Sequence, residues 1–471
     1  MNDKPKRDID GQIDNFVQVT SILSRSSIAV SGNSVIHQGW KLICPTVQKL
    51  YSCVRKFSDS SGLEANLSKC SIFYGGVENS VKEEINHLLS FPEGKLPIKY
   101  LGLPLITKRL SYLDCSPLFK KITGQFQIWL KHSNLSYAGR LHIIKSVILG
   151  VQIYWTSCYL LPVKVLQKID ALCREFLWGK NDHKAKIPLV SWDKVCMGKN
   201  HGGLGIFSAA KWNMASALRS IWYIHTDKEL LWIKWIHGTY LRSSDIWQVS
   251  AKTGDSWLWK QLLKLRDKAV SLCGGIINLK QCLNSSYRNS KIQLSLLYAN
   301  LPPSSNKVTW YETVWERLNP PRQSFILWLA IQNKLLTKDM LANRGLLQSV
   351  HCVLCEGACL ESRNHLFFDC VFSNEVWNGI MNWLQFNWRP CDWILITNWF
   401  SDRLKGNRFK LKVRRMALAA IVYNIWRERN ARIFQSKNRC TDQIIRDVKI
   451  DMLSTILNSR LTEEHREWFF C

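Results

Sequence analysis

Residues 351–370 read HCVLCEGACLESRNHLFFDC, a stretch that contains Cys352-x2-Cys355-x9-His365-x4-Cys370. Cysteine thiolates and a histidine nitrogen at these spacings are the donor set that tetrahedral Zn²⁺ takes in closed structural sites, so zinc is the expected cofactor. A Cys-x2-Cys knuckle sets two thiolates on the same side of one turn. Ser362 is placed to cap a helix, which would put His365 in the first turn and Cys370 a little over one turn later, on a nearby face. The competing explanation is buried thiols beside a core histidine, since free cysteine packs as a small hydrophobe. Glu356, Glu361, Arg363 and Asn364 make the surroundings polar, which favours the metal. His351, Cys359 and Asp369 remain spare ligand candidates.

Upstream, Val308–Leu347 carries a helical apolar pattern broken at Asn319-Pro-Pro321 and resumed through Phe325, Leu327, Trp328 and Ile331, a two-helix platform for the knuckle. Leu301-Pro-Pro-Ser-Ser-Asn306 is the clearest linker. Downstream, Arg403, Lys405, Arg408, Lys410, Lys412, Arg414 and Arg415 form a basic run without an intervening acid. Such a run is a solvated helix face, a targeting signal or a nucleic-acid contact.

Towards the N-terminus, Val47, Leu50, Tyr51, Val54 and Phe57 recur at helical spacing and stop at Ser60-Ser-Gly62. GLEANLSKCSIFYGG (62–76) reads as a turn, a short strand through Cys70–Tyr74 and a glycine exit. Residues 96–180 read as helices, with Asn134 or Ser136 capping one whose face is Leu141, Ile144, Val147, Ile148 and Val151. PLVSWDKVCMGKNHGGLGIF (188–207) is glycine-rich and reads as a loop or a hairpin, the latter giving a second β element; a structural connector is the simpler role. Its glycines fit no phosphate-cradling template.

The charge balance narrows the partner class. Sixty-four Lys and Arg against 36 Asp and Glu give +28, a surplus suited to a polyanion. Twenty-two Trp and 13 Tyr add flat surfaces for bases, although most of these tryptophans sit in packing patterns. Sixteen scattered cysteines and an N-terminus, MNDKPKRDID, without an apolar segment predict a reducing nuclear or cytoplasmic setting. The longest charge-free run, Ser146–Val163, includes Gln152, Ser157 and Pro162 and reads as buried helix plus turn rather than a membrane span.

Several blocks together resemble one known family. LPIKYLGLPL (96–105), IWLKHSNLSYAGRLHIIKSVILGVQIYW (128–155) and IDALCREFLWG (169–179) resemble the region after the palm in reverse transcriptases of plant non-LTR, LINE-type retrotransposons. GLEANLSKCSIFYGG resembles the palm's last motif, the turn with a lysine, here Lys69, before its final strand. VTWYETVWERLNPPRQSFILWLAIQNKLLTKDMLANRGLL (308–347), the zinc stretch with Trp377, and IVYNIWRERNARIF (421–434) are similar to the zinc-binding domain and following helix of the same elements.

The resemblance implies a mainly α, multi-domain chain with a palm-remnant β element and a small zinc domain. Its expected parts are an unassigned leader (1–45), the palm end (46–80), a thumb-like region (81–180), a connector (181–300), the zinc-binding domain (301–395) and a basic helical C-terminal region (396–471). Residues 81–180 hold 14 Lys and Arg against six Asp and Glu. In a thumb such a face would lie on the phosphates of an RNA or RNA–DNA duplex. Lys69, Lys108, Arg109, Lys120, Lys121, Lys131, Arg140 and Lys145 are the candidates; for any single lysine, solvation is the simpler role.

Polymerisation needs two Mg²⁺ held by carboxylates, and the family carries a neighbouring aspartate pair on a hairpin just before the helix that begins near Val47. No adjacent Asp-Asp occurs in this sequence, and the corresponding stretch, VIHQGWKLICPT (35–46), has no acid. The expected function is therefore a retrotransposon-derived binder of nucleic acid without catalytic residues, membrane attachment or small-molecule substrate. The alternative is part of an active RNA-directed DNA polymerase whose palm lies in a further upstream segment.

Overall fold

The structure, a computed structural model, describes residues 43–63, 71–72, 74, 77–94, 98–100, 102–105, 109–132, 135–179, 188–302, 306–355, 359–387, 392–406 and 408–458. Helices dominate these residues, as the sequence predicts for a mainly α chain. The chain forms two compact units and passes between them repeatedly. One comprises Met1–Lys121, Val151–Gln167 and Ala209–Pro302; the other Ile122–Gly150, Lys168–Ser208 and Pro303–Cys471.

In the first unit, helices Ala209–Thr226, Trp257–Cys273, Ile276–Ser285 and Leu294–Asn300 bury Leu218, Ile221, Trp259, Leu263, Leu279, Leu283 and Leu297 in one core. Ser256 starts the second of these helices by accepting from Trp259 N at 3.3 Å, and Gly274 ends it at φ +72°. The expected helix around Leu50–Phe57 runs Ile43–Ser61 and stops at Gly62, φ +68°.

One part of residues 96–180 departs from the helical reading. Ile98–Tyr100 and Leu103–Leu105 pair antiparallel, Ile98 with Leu105 and Tyr100 with Leu103. Pro97 and Pro104 cannot donate to a helical ladder, and Gly102 at φ +82° closes the turn. Of the strand expected through Cys70–Tyr74, the described part shows a single parallel bridge, Ile72 with Glu93; residues 64–70, 73 and 75–76 lie outside the described residues.

In the second unit, we label α1 Tyr137–Ile143, α2 Pro321–Ile331, α3 Val371–Trp383, α4 Phe409–Gln435 and α5 Thr441–Leu457. Ser136 caps α1, its hydroxyl accepting from Gly139 N at 3.2 Å, and Pro321 opens α2 at the first position, where a missing N–H costs nothing. α4 is the unit's axis: Met416, Ala417, Leu418, Ala420, Ile421, Val422 and Ile425 are fully buried, and α2 and α5 pack along it.

Of the loop and the hairpin left open for 188–207, the loop forms; the stretch holds helix Trp192–Cys196, a single tight turn at Lys199–His201 and no strand. Its glycines fold the chain back onto that helix instead, Leu204 N donating to Val195 O at 3.0 Å and Gly205 N to Met197 O at 2.8 Å. A Cβ at Gly203 would lie 2.1 Å from Met197 O, so only glycine permits this approach. The backbone groups a strand would offer are used inside the loop.

Candidate metal centre

The knuckle is built on a miniature β arm. His351 bridges Leu360, Cys352 N donates to Cys359 O at 2.9 Å, and Glu361 N donates to Val350 O at 2.8 Å. Ser362 then accepts from His365 N at 3.1 Å, the cap expected from sequence. Beyond it the helix widens into a π turn over His365–Asp369, with Cys370 N donating to His365 O at 2.8 Å. An ordinary α-helical path from His365 would swing the Cys370 thiol partly away; the wide turn closes the ring on it.

Cys370 sits at the N-terminus of α3, where the backbone N–H groups of Ser373 and Phe372 favour a negative charge on its sulfur. A hydrogen bond from Cys352 is the main influence lowering the Cys370 pKa, reinforced by those N–H groups against the cost of burial. The same bond, with burial, raises Cys352, whose sulfur accepts from Leu354 N. The shift of Cys370 is in the direction that eases loss of its proton, which a metal requires of a thiol ligand. Cys355 Sγ lies 3.4 Å from His365 Nε2.

All four ligand atoms of Cys352, Cys355, His365 and Cys370 lie within 4.8 Å of one another. A tetrahedral ion with bonds of about 2.3 Å to sulfur sets ligand separations near ~3.8 Å, so the donors fit zinc after a small contraction. His351, Cys359 and Asp369, the spare candidates, are exposed and lie outside this group.

The support of the knuckle comes from residues that the sequence did not single out as partners. Glu361, read there as a polar neighbour, is fully buried and pairs with Arg429 of α4 at 2.6 Å while accepting from Lys338 N at 2.9 Å. Arg432, one helical turn further along α4, donates to Val353 O at 3.1 Å and Leu354 O at 3.2 Å inside the Cys-x2-Cys loop. Buried Glu428 orients Arg432 at 3.0 Å and also holds Arg439 at 2.8 Å. Arg363 donates to Ala330 O and Ile331 O at the end of α2, tying the knuckle to its expected platform. The charged pattern Glu428-Arg429-x2-Arg432, following the apolar run Met416–Val422 in the same helix, was the available signal.

The basic residues divide by environment. Arg109, Lys120, Lys121 and Lys131 are exposed, Arg109 with its guanidinium 4.5 Å from the Trp257 ring centroid. Lys69 and Lys108 lie outside the described residues. Arg140 and Lys145, two more of the candidate phosphate contacts, are turned inward. Arg140 is buried and donates to Phe176 O and Gly179 O, and burial lowers its pKa. Lys145 donates to Leu204 O at 2.5 Å; burial, then the neighbouring Lys199 charge, pushes its pKa down to about 8. Of the basic run after residue 402, Arg415 is buried against Glu316 at 2.5 Å, whereas Arg403, Lys405, Arg408 and Lys410 are exposed. Among the described residues no helix is long and apolar enough to cross a membrane.

Comparison with known proteins agrees with this geometry. The family described as zinc-binding in reverse transcriptase matches residues 293–377, which include all four candidate ligands. An Arabidopsis thaliana protein named "Putative ribonuclease H protein" is 23% identical, the match covering 73% of this chain and 68% of that one. An uncharacterized mitochondrial protein of Arabidopsis thaliana is 29% identical over 121 residues, 25% of this chain and 78% of that one. Residues 293–377 thus match the zinc-binding domain of reverse transcriptase, and the larger part of the chain is similar to the putative ribonuclease H protein.

Proposed function

We propose that this chain binds an RNA or RNA–DNA duplex without polymerising, and that Zn²⁺ on Cys352, Cys355, His365 and Cys370 holds its zinc domain folded. The observation that carries the binding half is the +28 charge, to which the exposed Arg109, Lys120, Lys121 and Lys131 contribute within the thumb-like region 81–180. The excess is sequence-wide and not confined to one motif, so the grip is on phosphates and carries little base specificity.

The second half rests on chemistry. Activation of a primer hydroxyl and stabilisation of leaving pyrophosphate take paired carboxylates and two metal ions, and no two aspartates are adjacent anywhere in the 471 residues. Zinc in a closed four-ligand site has no open position for substrate and acts structurally.

The test measures affinity of the full chain for an RNA–DNA duplex over a salt series, beside primer extension with Mg²⁺ and deoxynucleotides. Steep weakening with salt and no extension are expected. Extension that is abolished by EDTA and absent from a mock preparation would reverse the non-catalytic reading. Salt-independent affinity would reverse the binding reading.

A further inference from the structure

The C-terminal half of α4, the turn that follows it and Ile326 of α2 line an open cavity of about 760 Å³, within the range of small-molecule and nucleotide sites. Tyr423 and Trp426 supply two aromatic rings, Asn430 and Asn438 two amides, and Arg427 and Lys437 positive charge. Arg439 adds a third cation, and among the described residues no carboxylate lines the space. None of the zinc ligands, and none of the lysines of residues 81–180, lines this cavity.

The rings are held in place. The Arg429 guanidinium lies 4.9 Å from the Trp426 ring centroid and is itself fixed by buried Glu361. The Arg322 guanidinium lies 5.3 Å from the Tyr423 centroid. Arg427 and Arg439 share Asp447, at 3.3 and 2.5 Å, which partly neutralises both. Lys437 is exposed and forms no ion pair among the described residues. Aromatic planes, amides able to donate and accept, and an exposed ammonium on the wall match a nucleotide: a flat base, polar base edges and a phosphate.

We infer that this cavity takes one nucleotide unit of a single strand, its base against Tyr423 and Trp426, its base edge at Asn430 and Asn438, and its phosphate at Lys437. Bases paired inside a duplex keep their faces stacked on one another and cannot enter. The site therefore goes beyond the duplex grip and does not depend on it. A free nucleotide carries the same chemistry as a strand, and competition separates the two sources.

The experiment uses the full zinc-loaded chain and a labelled oligodeoxythymidine of about 12 nucleotides, which has no duplex structure. Ala431→Phe, on the cavity wall, fills the space, and Lys437→Glu reverses the exposed charge. Each should weaken oligonucleotide binding by about tenfold or more, the scale of one base stack, while duplex affinity changes much less. Zinc content and helical circular dichroism, unchanged in both, show that the fold is intact. Thymidine monophosphate displacing the strand supports occupation by free nucleotides too; failure to displace it, with the variants still impaired, supports the strand alone. Oligonucleotide affinity unaltered by Ala431→Phe and Lys437→Glu overturns the inference. So does an equal loss of duplex affinity, whereas a duplex reading that fails by itself leaves the oligonucleotide result standing.

Discussion

Glu361 Oε1 lies 2.6 Å from Arg429 Nη2, with both side chains almost wholly removed from solvent, so the zinc knuckle is joined to α4 by a buried ion pair. Without that guanidinium the carboxylate would be a charge stranded in the interior. Arg429→Met should cost about 3–5 kcal/mol for that reason, while the paired change Glu361→Met with Arg429→Met should cost much less. Urea titration of the single and double variants measures the difference; equal losses in the two would show that the pair is not coupled.

Removal of metal should act on the same joint. The purified chain is expected to contain one zinc per molecule, lost in Cys355→Ser, with a lower melting temperature and weakened protection of residues 350–370 in hydrogen exchange. Cobalt substitution should give the visible spectrum of a tetrahedral thiolate site. A metal-free preparation that melts like the parent would reduce the cluster to packed thiols.

Lys120, Lys121 and Lys131 should separate from Arg140 and Lys145 in their effects. Replacing the first three by Gln should flatten the dependence of duplex affinity on salt, by about 0.9 logarithmic units per decade for each B-DNA phosphate no longer neutralised, with the melting temperature held. Arg140→Ala should instead lower stability by about 1–3 kcal/mol, since the carbonyls of Phe176 and Gly179 lose a buried donor. Calorimetry beside the binding series decides the assignment.

Alkaline pH should expose two opposed contributions. Burial, then the Asp114 charge, pushes the Cys115 thiol up to about 12 from an ordinary 9.0, so its contribution to stability is complete below pH 9 and is lost as pH rises through 12. Lys145 is pushed down to about 8 from 10.5, so its penalty on the folded state is full below pH 8 and relieved by 10.5. Cys115→Ala should make the fall in stability between pH 9 and 12 shallower. Lys145→Met should remove a rise between pH 8 and 10.5, read as unfolding free energy against pH.

The clustering of the four candidate donors was legible because it is local. Cys352, Cys355, His365 and Cys370 fall within one short stretch, and the spacing alone limits how they can converge. Ser362 could be read as a cap for the same reason, as could the helix stop at Gly62 and the break before α2 at Pro321. Helical periodicity sufficed for the mainly α fold. The pairing of Ile98–Tyr100 with Leu103–Leu105 escaped that reading because two three-residue strands are too short to show a period, although Gly102 between them marked the turn.

What the chain's order could not give is burial. Arg140 and Lys120 are equivalent cations along the sequence, yet one donates to Phe176 O inside the fold and the other is exposed. Glu361 stands among polar residues in sequence but finds its partner 68 residues away, on a helix whose apolar face must pack before the two charges can meet. Local spacing determined which atoms could hold the metal. Only tertiary packing decided which charges were withdrawn from water to hold that site in place, because desolvation depends on everything folded around a group and not on its neighbours along the chain.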